Sequence, residues 1–506
     1  MERAAQRPTH PFFIWEPFEG EARTWTYAQF DADVARLAAG LRRNGVRAGE
    51  HVLIHLENCP EALLAWHACA RLGAVAVTTN TRSSEKELVY FAEHSAPIAA
   101  ITQPKFASMV RAACRGIRFL AVTETDGDAT GTQGPAPDKA DRFANLYAAP
   151  EGFERLPPDP WRELSVQYTS GTTSRPKGVV WTHANALWGG EVSARHEGLL
   201  ASDVHYVHLP LFHTNAQIYS AMATLWAGAT MVLAPRFSAS RFWEVSLKHG
   251  CTWSSMVPFC LRALLEQPVP ERHAYRVWAP AIAIPDAEPH FRVKTQGWWG
   301  MTETITHGIL TSLTEAEPFR SIGRAAPEYE IAVLGPSGAP AKPGETGDLY
   351  IRGIPGLSLF HAYLNNETAT EAAYTDDGYM MTGDRITLGE GGILYFADRA
   401  KDMLKVGGEN VAASEIEAVI LTVPGIIETA VVGKPDPMLD EVPVAFMTLA
   451  AGSDPRTIEA AVREACRREL ADFKRPRRLL IVDELPRATL EKINKAELRR
   501  RLGEDS

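Results

Sequence analysis

The sequence predicts an α/β protein. It should have a large N-terminal domain of layered α/β subdomains, a small β-barrel-like piece, and a small α+β C-terminal domain. Three observations carry this. Helical and strand-like stretches alternate from residue 30 onward, short strands between Gly/Pro turns fill residues 331–395, and a compact segment of roughly domain size follows Arg399. The boundary is placed between residues 1–398 and 399–506. At 506 residues the chain is too long for one ordinary core.

Phe30, Val34, Leu37 and Leu41 recur at helical spacing, and Gly45 follows where a helix should stop. His51-Val-Leu-Ile-His-Leu56 reads as a strand, Pro60 opens an Ala/Leu-rich helix, and Gly73-Ala-Val-Ala-Val77 reads as a buried strand. The apolar stretch 62–77 is broken by His67 and Arg71, so it is no membrane span. Residues 124–156, rich in Gly, Asp and Pro, read as a surface excursion. Ser165-Val-Gln-Tyr-Thr169 is a strand running into a Gly/Thr-rich loop. In the last segment Ser414 should cap a helix through Leu421, which Pro424-Gly425 ends. Strands 429–432 and 445–449 and a helix 458–470 follow.

A formal net charge of -10 argues against broad nucleic-acid binding, but it leaves room for a local basic cleft holding a phosphate-rich ligand. Six cysteines are scattered with no C-x-x-C pair, so neither a disulfide framework nor a zinc site is expected. No apolar leader follows Met1, and the expected location is cytoplasmic.

The run Thr169-Ser-Gly-Thr-Thr-Ser-Arg-Pro-Lys-Gly178 packs five hydroxyls, two glycines and two cations into ten residues. Glycines let backbone N–H groups approach an anion, hydroxyls donate to phosphate oxygens, and Lys177 adds a point charge. It is not a Walker A loop. Taken alone it would read as a polar surface loop. With its flanks, Tyr168 to Val179, it resembles the phosphate loop of the adenylate-forming superfamily: acyl-CoA synthetases, luciferases and peptide-synthetase adenylation domains. Ser174 stands where that family usually has Gly.

Further motifs follow in family order, so the resemblance covers nearly the whole chain. It implies nucleotide contacts from Thr169, Ser170, Gly171, Thr172, Thr173 and Lys177. In Trp298-Trp-Gly-Met-Thr-Glu-Thr304 it implies Trp299 against adenine, Thr302 on AMP oxygens and Glu303 on Mg²⁺. In Tyr379-Met-Met-Thr-Gly-Asp-Arg385 it places Asp384 on the ribose hydroxyls. In the stretch from Asp398 to Asn410 it implies Arg399 on ribose or phosphate, Lys401 as the hinge of a mobile C-terminal domain, and Gly407 and Gly408 along a pantetheine tunnel. Lys492, in Pro486-Arg-Ala-Thr-Leu-Glu-Lys-Ile-Asn-Lys495, becomes the mobile catalytic lysine, with Glu491 where relatives have Gly. Phe473, Lys474 and Arg475 resemble the segment that meets the CoA nucleotide.

His213, in Leu211-Phe-His-Thr-Asn-Ala-Gln217, would orient the carboxylate at the acyl site, with Asn215, Gln217 and Asp286 adding polarity. The 281–286 turn departs from the family's small-residue pattern. Gly300 aligns where acetate-specific relatives place a closing Trp, which implies an acyl group larger than acetyl. The nearest branch is that of carnitine/crotonobetaine-CoA ligases.

The implied activity is an AMP-forming acid–CoA ligase using ATP, Mg²⁺ and coenzyme A through an acyl-AMP intermediate, with domain rotation between half-reactions. Two alternatives stay open: a thioesterifying enzyme fed a preformed acyl-adenylate, and a stand-alone adenylation domain loading a carrier protein. Expected partners are a small carboxylic acid and CoA, with no nucleic acid and no membrane. Candidate protein partners are a second copy in a homodimer and, under the first alternative, an upstream adenylating enzyme.

Overall fold

Helix Tyr27–Arg43 starts at a reciprocal cap. Thr26 Oγ1 accepts from the Gln29 N–H at 3.2 Å, and Gln29 Oε1 accepts from the Thr26 N–H at 2.9 Å. Its apolar stripe buries Phe30, Val34, Leu37 and Leu41, as their spacing predicts. Helix Pro60–Leu72 has proline in its first turn and ends at Gly73, whose φ of 76° is left-handed. Strands His51–His55 and Val75–Thr78 then pair in parallel.

The computed structural model describes residues 2–83, 85–126, 141–151, 153, 156–169, 176–285, 287–399, 403–406, 409–436, 439–470, 472–487 and 493–504. The chain divides into two compact units, residues 1–330 with 352–379, and residues 331–351 with 380–506.

The first unit holds two large sheets. One has eight strands in the order Ala362–Tyr363, Gly178–Thr182, Glu163–Tyr168, Val75–Thr78, His51–His55, Ala99–Thr102, Phe119–Val122 and Asp141–Arg142. It is parallel except at the first two pairings. The other runs Arg324–Ala325, Ile309–Leu310, Lys294–Trp299, Val277–Ala281, Trp253–Ser255, Val204–Val207, Thr230–Leu233, Pro11–Trp15 and Arg23–Thr26. Its interior is parallel and its edges antiparallel. The central strands are buried throughout, which explains their continuous apolar runs.

The second unit contains a four-stranded antiparallel sheet of Glu330–Leu334, Thr346–Arg352, Met380–Leu388 and Leu394–Arg399. A second sheet joins Glu409–Ala412, Met403–Val406, Asp440–Leu449 and Ile426–Asp436, with Arg478–Ile481 parallel to Asp440–Leu449. Helices Ala413–Ile420 and Pro455–Glu469 cover it through Ile416, Ile420, Ile458 and Val462.

Three expectations are corrected. The 124–156 stretch is not wholly a surface excursion: Asp141–Arg142 adds an edge strand, and Phe143 and Leu146 are buried. A Cβ on Gly40 would lie 1.3 Å from the Leu146 carbonyl oxygen, so this contact needs glycine. The 331–395 piece is not continuous, since Ala362–Tyr363 leaves it to pair with Gly178–Thr182. Ser414 lies inside its helix rather than capping it, and its hydroxyl donates to the Ala397 carbonyl.

Candidate active site

The phosphate loop is the tip of an antiparallel hairpin. Glu163–Tyr168 and Gly178–Thr182 pair with Tyr168 opposite Gly178. The Thr169 N–H donates to the Lys177 carbonyl at 3.0 Å, closing the loop's base. Tyr168 anchors it from below. Its ring stacks on Phe91 at 4.3 Å, and its hydroxyl lies 3.0 Å from His94 Nδ1. Tyr90 donates to the Pro176 carbonyl at 2.9 Å. Ser170, Gly171, Thr172, Thr173 and Ser174 lie outside the described residues.

Edge strand Ala362–Tyr363 aligns Tyr363 opposite Val179, two residues beyond Lys177. The Lys177 Nζ therefore sits over the Tyr363 ring, 4.3 Å from its centroid. The Tyr363 hydroxyl donates to Glu303 Oε1 at 2.9 Å. Burial first, then the Glu303 carboxylate, push the Tyr363 phenol far above its ordinary pKa, so it stays a donor. One continuous chain thus joins Lys177, Tyr363 and Glu303.

Residues Thr302–Thr304 form a tight turn after strand Lys294–Trp299. Trp181 Nε1 donates to the Thr302 carbonyl at 3.0 Å, and the Phe360 N–H donates to the Glu303 carbonyl at 2.8 Å. Thr304 Oγ1 accepts from the Met301 N–H at 3.0 Å, and Tyr329 donates to the Thr304 carbonyl. These ties hold Ile305 at a φ of 62°, a costly angle for a β-branched residue. Glu303 is buried while Thr302 remains partly exposed beside it.

Among the described residues no three His, Cys, Asp or Glu side chains converge on a metal-sized site. A single carboxylate is what Mg²⁺ needs when substrate phosphates supply its other oxygens, so Glu303 fits that ion.

Trp298 and Trp299 point to opposite faces of their strand. Trp298 stacks on His307 at 4.1 Å, while Trp299 pairs across to Ile309 and is buried. The segment Asn215–Met222 is wound as a π-helix, a form that recurs at functional sites. His213 precedes it, its carbonyl accepting from the Gln217 N–H at 3.0 Å. Gln217 is buried, and among the described residues nothing accepts from its Nε2. Asn215 Oδ1 accepts from Ser255 Oγ at 2.7 Å. The room beside Gly300 is already taken: a Cβ there would lie 2.6 Å from Tyr219 Oη.

In the second unit Asp384 is buried and aligns across from Arg399 on the neighbouring strand. Its N–H donates to Thr382 Oγ1 at 3.1 Å, and Gly383 before it takes a φ of 72°. Lys474 and Arg475 are engaged locally rather than turned outward as a free basic pair. Lys474 Nζ meets both Glu415 carboxylate oxygens at 2.7 and 2.8 Å. Arg475 Nε donates to the Leu470 carbonyl at 3.0 Å, closing the end of helix Pro455–Glu469. Phe473 packs against that unit's core. Asp286, Lys401, Gly407, Gly408, Glu491 and Lys492 lie outside the described residues.

Tyr363 was missed by sequence reasoning. It is sixty residues from Glu303 and reaches it only through an edge-strand pairing that two residues make. Tyr219 was missed for the same reason: no spacing in the chain announces that it meets Gly300.

The sequence pattern of the AMP-binding enzyme family matches residues 1–364, and that of the AMP-binding enzyme C-terminal domain matches residues 415–492. The chain belongs to this family of adenylate-forming enzymes. It is 34% identical over 499 residues to a crotonobetaine/carnitine–CoA ligase of Salmonella enteritidis, covering 96% of this chain and 95% of that one. The Escherichia coli protein of the same name is 33% identical over 505 residues, with the same coverage. Among solved structures, O-succinylbenzoate CoA synthetase (MenE) from Bacillus subtilis with ATP and magnesium superposes with a TM-score of 0.83 at 28% identity, over 99% of this chain and 98% of that one. ATP-bound MatB from Rhodopseudomonas palustris gives 0.84 at 26% identity, over 99% and 98%.

Proposed function

We propose that this protein is an AMP-forming acid–CoA ligase that converts a small carboxylic acid to its CoA thioester. The observation that carries the reading is the Lys177–Tyr363–Glu303 chain. It couples the base of the phosphate loop to the turn bearing Thr302 and Glu303.

In the first half-reaction a carboxylate oxygen attacks the α-phosphorus of ATP, and the bond to pyrophosphate breaks. Charge accumulates on phosphoryl oxygens, so catalysis depends on placed cations and donors. Lys177 supplies a positive charge, and Thr302 donates to an α-phosphate oxygen. Glu303 would hold Mg²⁺, which when bound would neutralise phosphate charge. Asp384 accepts both ribose hydroxyls, Arg399 lies beside it, and Trp299 flanks the base. His213 orients the incoming carboxylate. Lys492 completes the cationic set.

In the second half-reaction the thiol sulfur of CoA attacks the acyl carbon and AMP leaves. The C-terminal domain, from about Arg399 and pivoting at Lys401, turns between the steps. Gly407 and Gly408 then line the thiol's path. The Phe473–Arg475 segment meets the CoA nucleotide, with Lys474 exchanging Glu415 for phosphate.

The test is AMP and pyrophosphate release across a panel of carboxylic acids, with and without CoA, beside synthetic acyl-adenylates. Acid-dependent release of both products is expected. Thioester from acyl-adenylates but none from ATP plus acid would overturn the reading. Lys492→Ala should lose adenylation and keep thioesterification.

A further inference from the structure

Asn215 and Tyr219 stand four residues apart on helix Asn215–Met222, and side chains at that spacing share a face. The contacts show where the face looks. Asn215 bonds Ser255, the last residue of strand Trp253–Ser255. Tyr219 meets Gly300, the first residue after strand Lys294–Trp299. Strand Val277–Ala281 lies between those two and is parallel to both. Both contacts thus fall at the carboxyl ends of neighbouring parallel strands, where open α/β sheets receive ligands.

Neither side chain is adventitious there. The Tyr219 ring packs on His307 at 4.2 Å and meets Trp298 edge-on at 5.9 Å. Only 4% of it is exposed. Besides Tyr219 Oη, a Cβ at residue 300 would lie 2.9 Å from the Thr306 carbonyl oxygen. Glycine at 300 therefore marks the close approach of a tyrosine, not open space. Ser255 is buried and donates to Asn215 Oδ1. The amide plane is thereby set, and its two Nδ2 hydrogens are directed away from Ser255. Among the described residues no acceptor meets them.

We propose that Tyr219 sets the length of the acyl group and Asn215 its polarity. The acid this enzyme activates is short, and beyond its reacting carboxylate it carries a hydrogen-bond acceptor, a carbonyl, carboxylate or hydroxyl oxygen, that Asn215 Nδ2 bonds. This rests on the ligase reading and names its substrate class.

The experiment measures kcat/KM for acid-dependent AMP release with straight-chain acids of about two to twelve carbons, and with isosteres carrying an oxo group in place of one methylene. The wild-type enzyme should favour short oxo acids over alkyl isosteres by roughly tenfold to a hundredfold. Tyr219→Ala should move the length optimum to longer acids, and Tyr219→Phe, which keeps the ring, should leave it in place. Should Tyr219→Ala fail to fold, Tyr219→Leu keeps an apolar side chain against His307 and carries the same expectation. Asn215→Leu should bring the oxo-to-alkyl ratio near one at an unchanged length optimum. Acid-dependent release with unmoved preferences in these variants overturns this inference alone. No release with any acid overturns the ligase reading and this inference together.

Discussion

Two glutamates are buried in the same unit, and their surroundings are opposite. Glu303 receives the Tyr363 hydroxyl, and the same ring carries the Lys177 ammonium on its face. Glu197 has no hydrogen-bond partner on either carboxylate oxygen among the described residues, and His307 Nε2 lies 4.0 Å away. Burial pushes the Glu197 carboxyl well above its ordinary pKa and holds His307 well below its own. Burial therefore disfavours the charged form of both groups. Burial alone does not make a reactive carboxylate. A donor and a cation delivered from neighbouring elements distinguish the site from the core.

The comparison breaks most visibly at Glu303. Glu303→Gln should lower acid-dependent pyrophosphate release by a few hundredfold, about 3 kcal/mol of transition-state stabilisation. Conversion of a supplied acyl-adenylate should fall far less, and equal losses would contradict a role confined to phosphate chemistry. Tyr363→Phe removes the hydroxyl but keeps the ring under Lys177. A lost hydrogen bond to a charged group is worth roughly 1.5–3 kcal/mol, so kcat/KM for ATP should drop roughly tenfold to a hundredfold.

Glu197 sharpens the contrast through stability. A carboxyl with a raised folded-state pKa contributes stability below the unfolded value, about 4.3, and loses it as pH rises toward the folded value. His307, held low, acts in reverse: its contribution is complete above about pH 6.5 and is lost as pH falls. Glu197→Gln removes only the first dependence. Its Tm relative to wild type should therefore rise as pH climbs above about 4.3, and a flat or falling difference would refute a raised Glu197 carboxyl.

The smallest effect is expected at Lys474. Its ion pair with Glu415 is partly exposed and worth roughly 0–1 kcal/mol. Lys474→Ala should leave thermal stability nearly unchanged and raise KM for CoA more than KM for ATP. A uniform loss in both would argue against a role at the CoA nucleotide.

Much of the fold was legible because local rules carried it. The stripe Phe30, Val34, Leu37 and Leu41, the stop before Gly45 and the buried strand through Val75 and Val77 each express one short-range preference. The candidate site was legible where its residues are contiguous in the chain, as at Thr302 and Glu303, which the structure holds in one tight turn. It was not legible where a side chain arrives through tertiary pairing. Tyr363 comes in on a two-residue edge strand, Tyr219 across a helix–strand gap, and Arg475 turns back to end its own helix. Ser414 shows the converse: a residue suited to capping lies within the helix, and its hydroxyl donates to the Ala397 carbonyl instead.

The central claim is that carboxylate oxygen attacks the α-phosphorus and that thiol later cleaves the acyl–oxygen bond. An acid labelled with ¹⁸O in its carboxylate, turned over with ATP and CoA and followed by mass spectrometry of the products, tests it directly. The account predicts one ¹⁸O in the phosphate of AMP and none in pyrophosphate. Thioester formation with unlabelled AMP would contradict it.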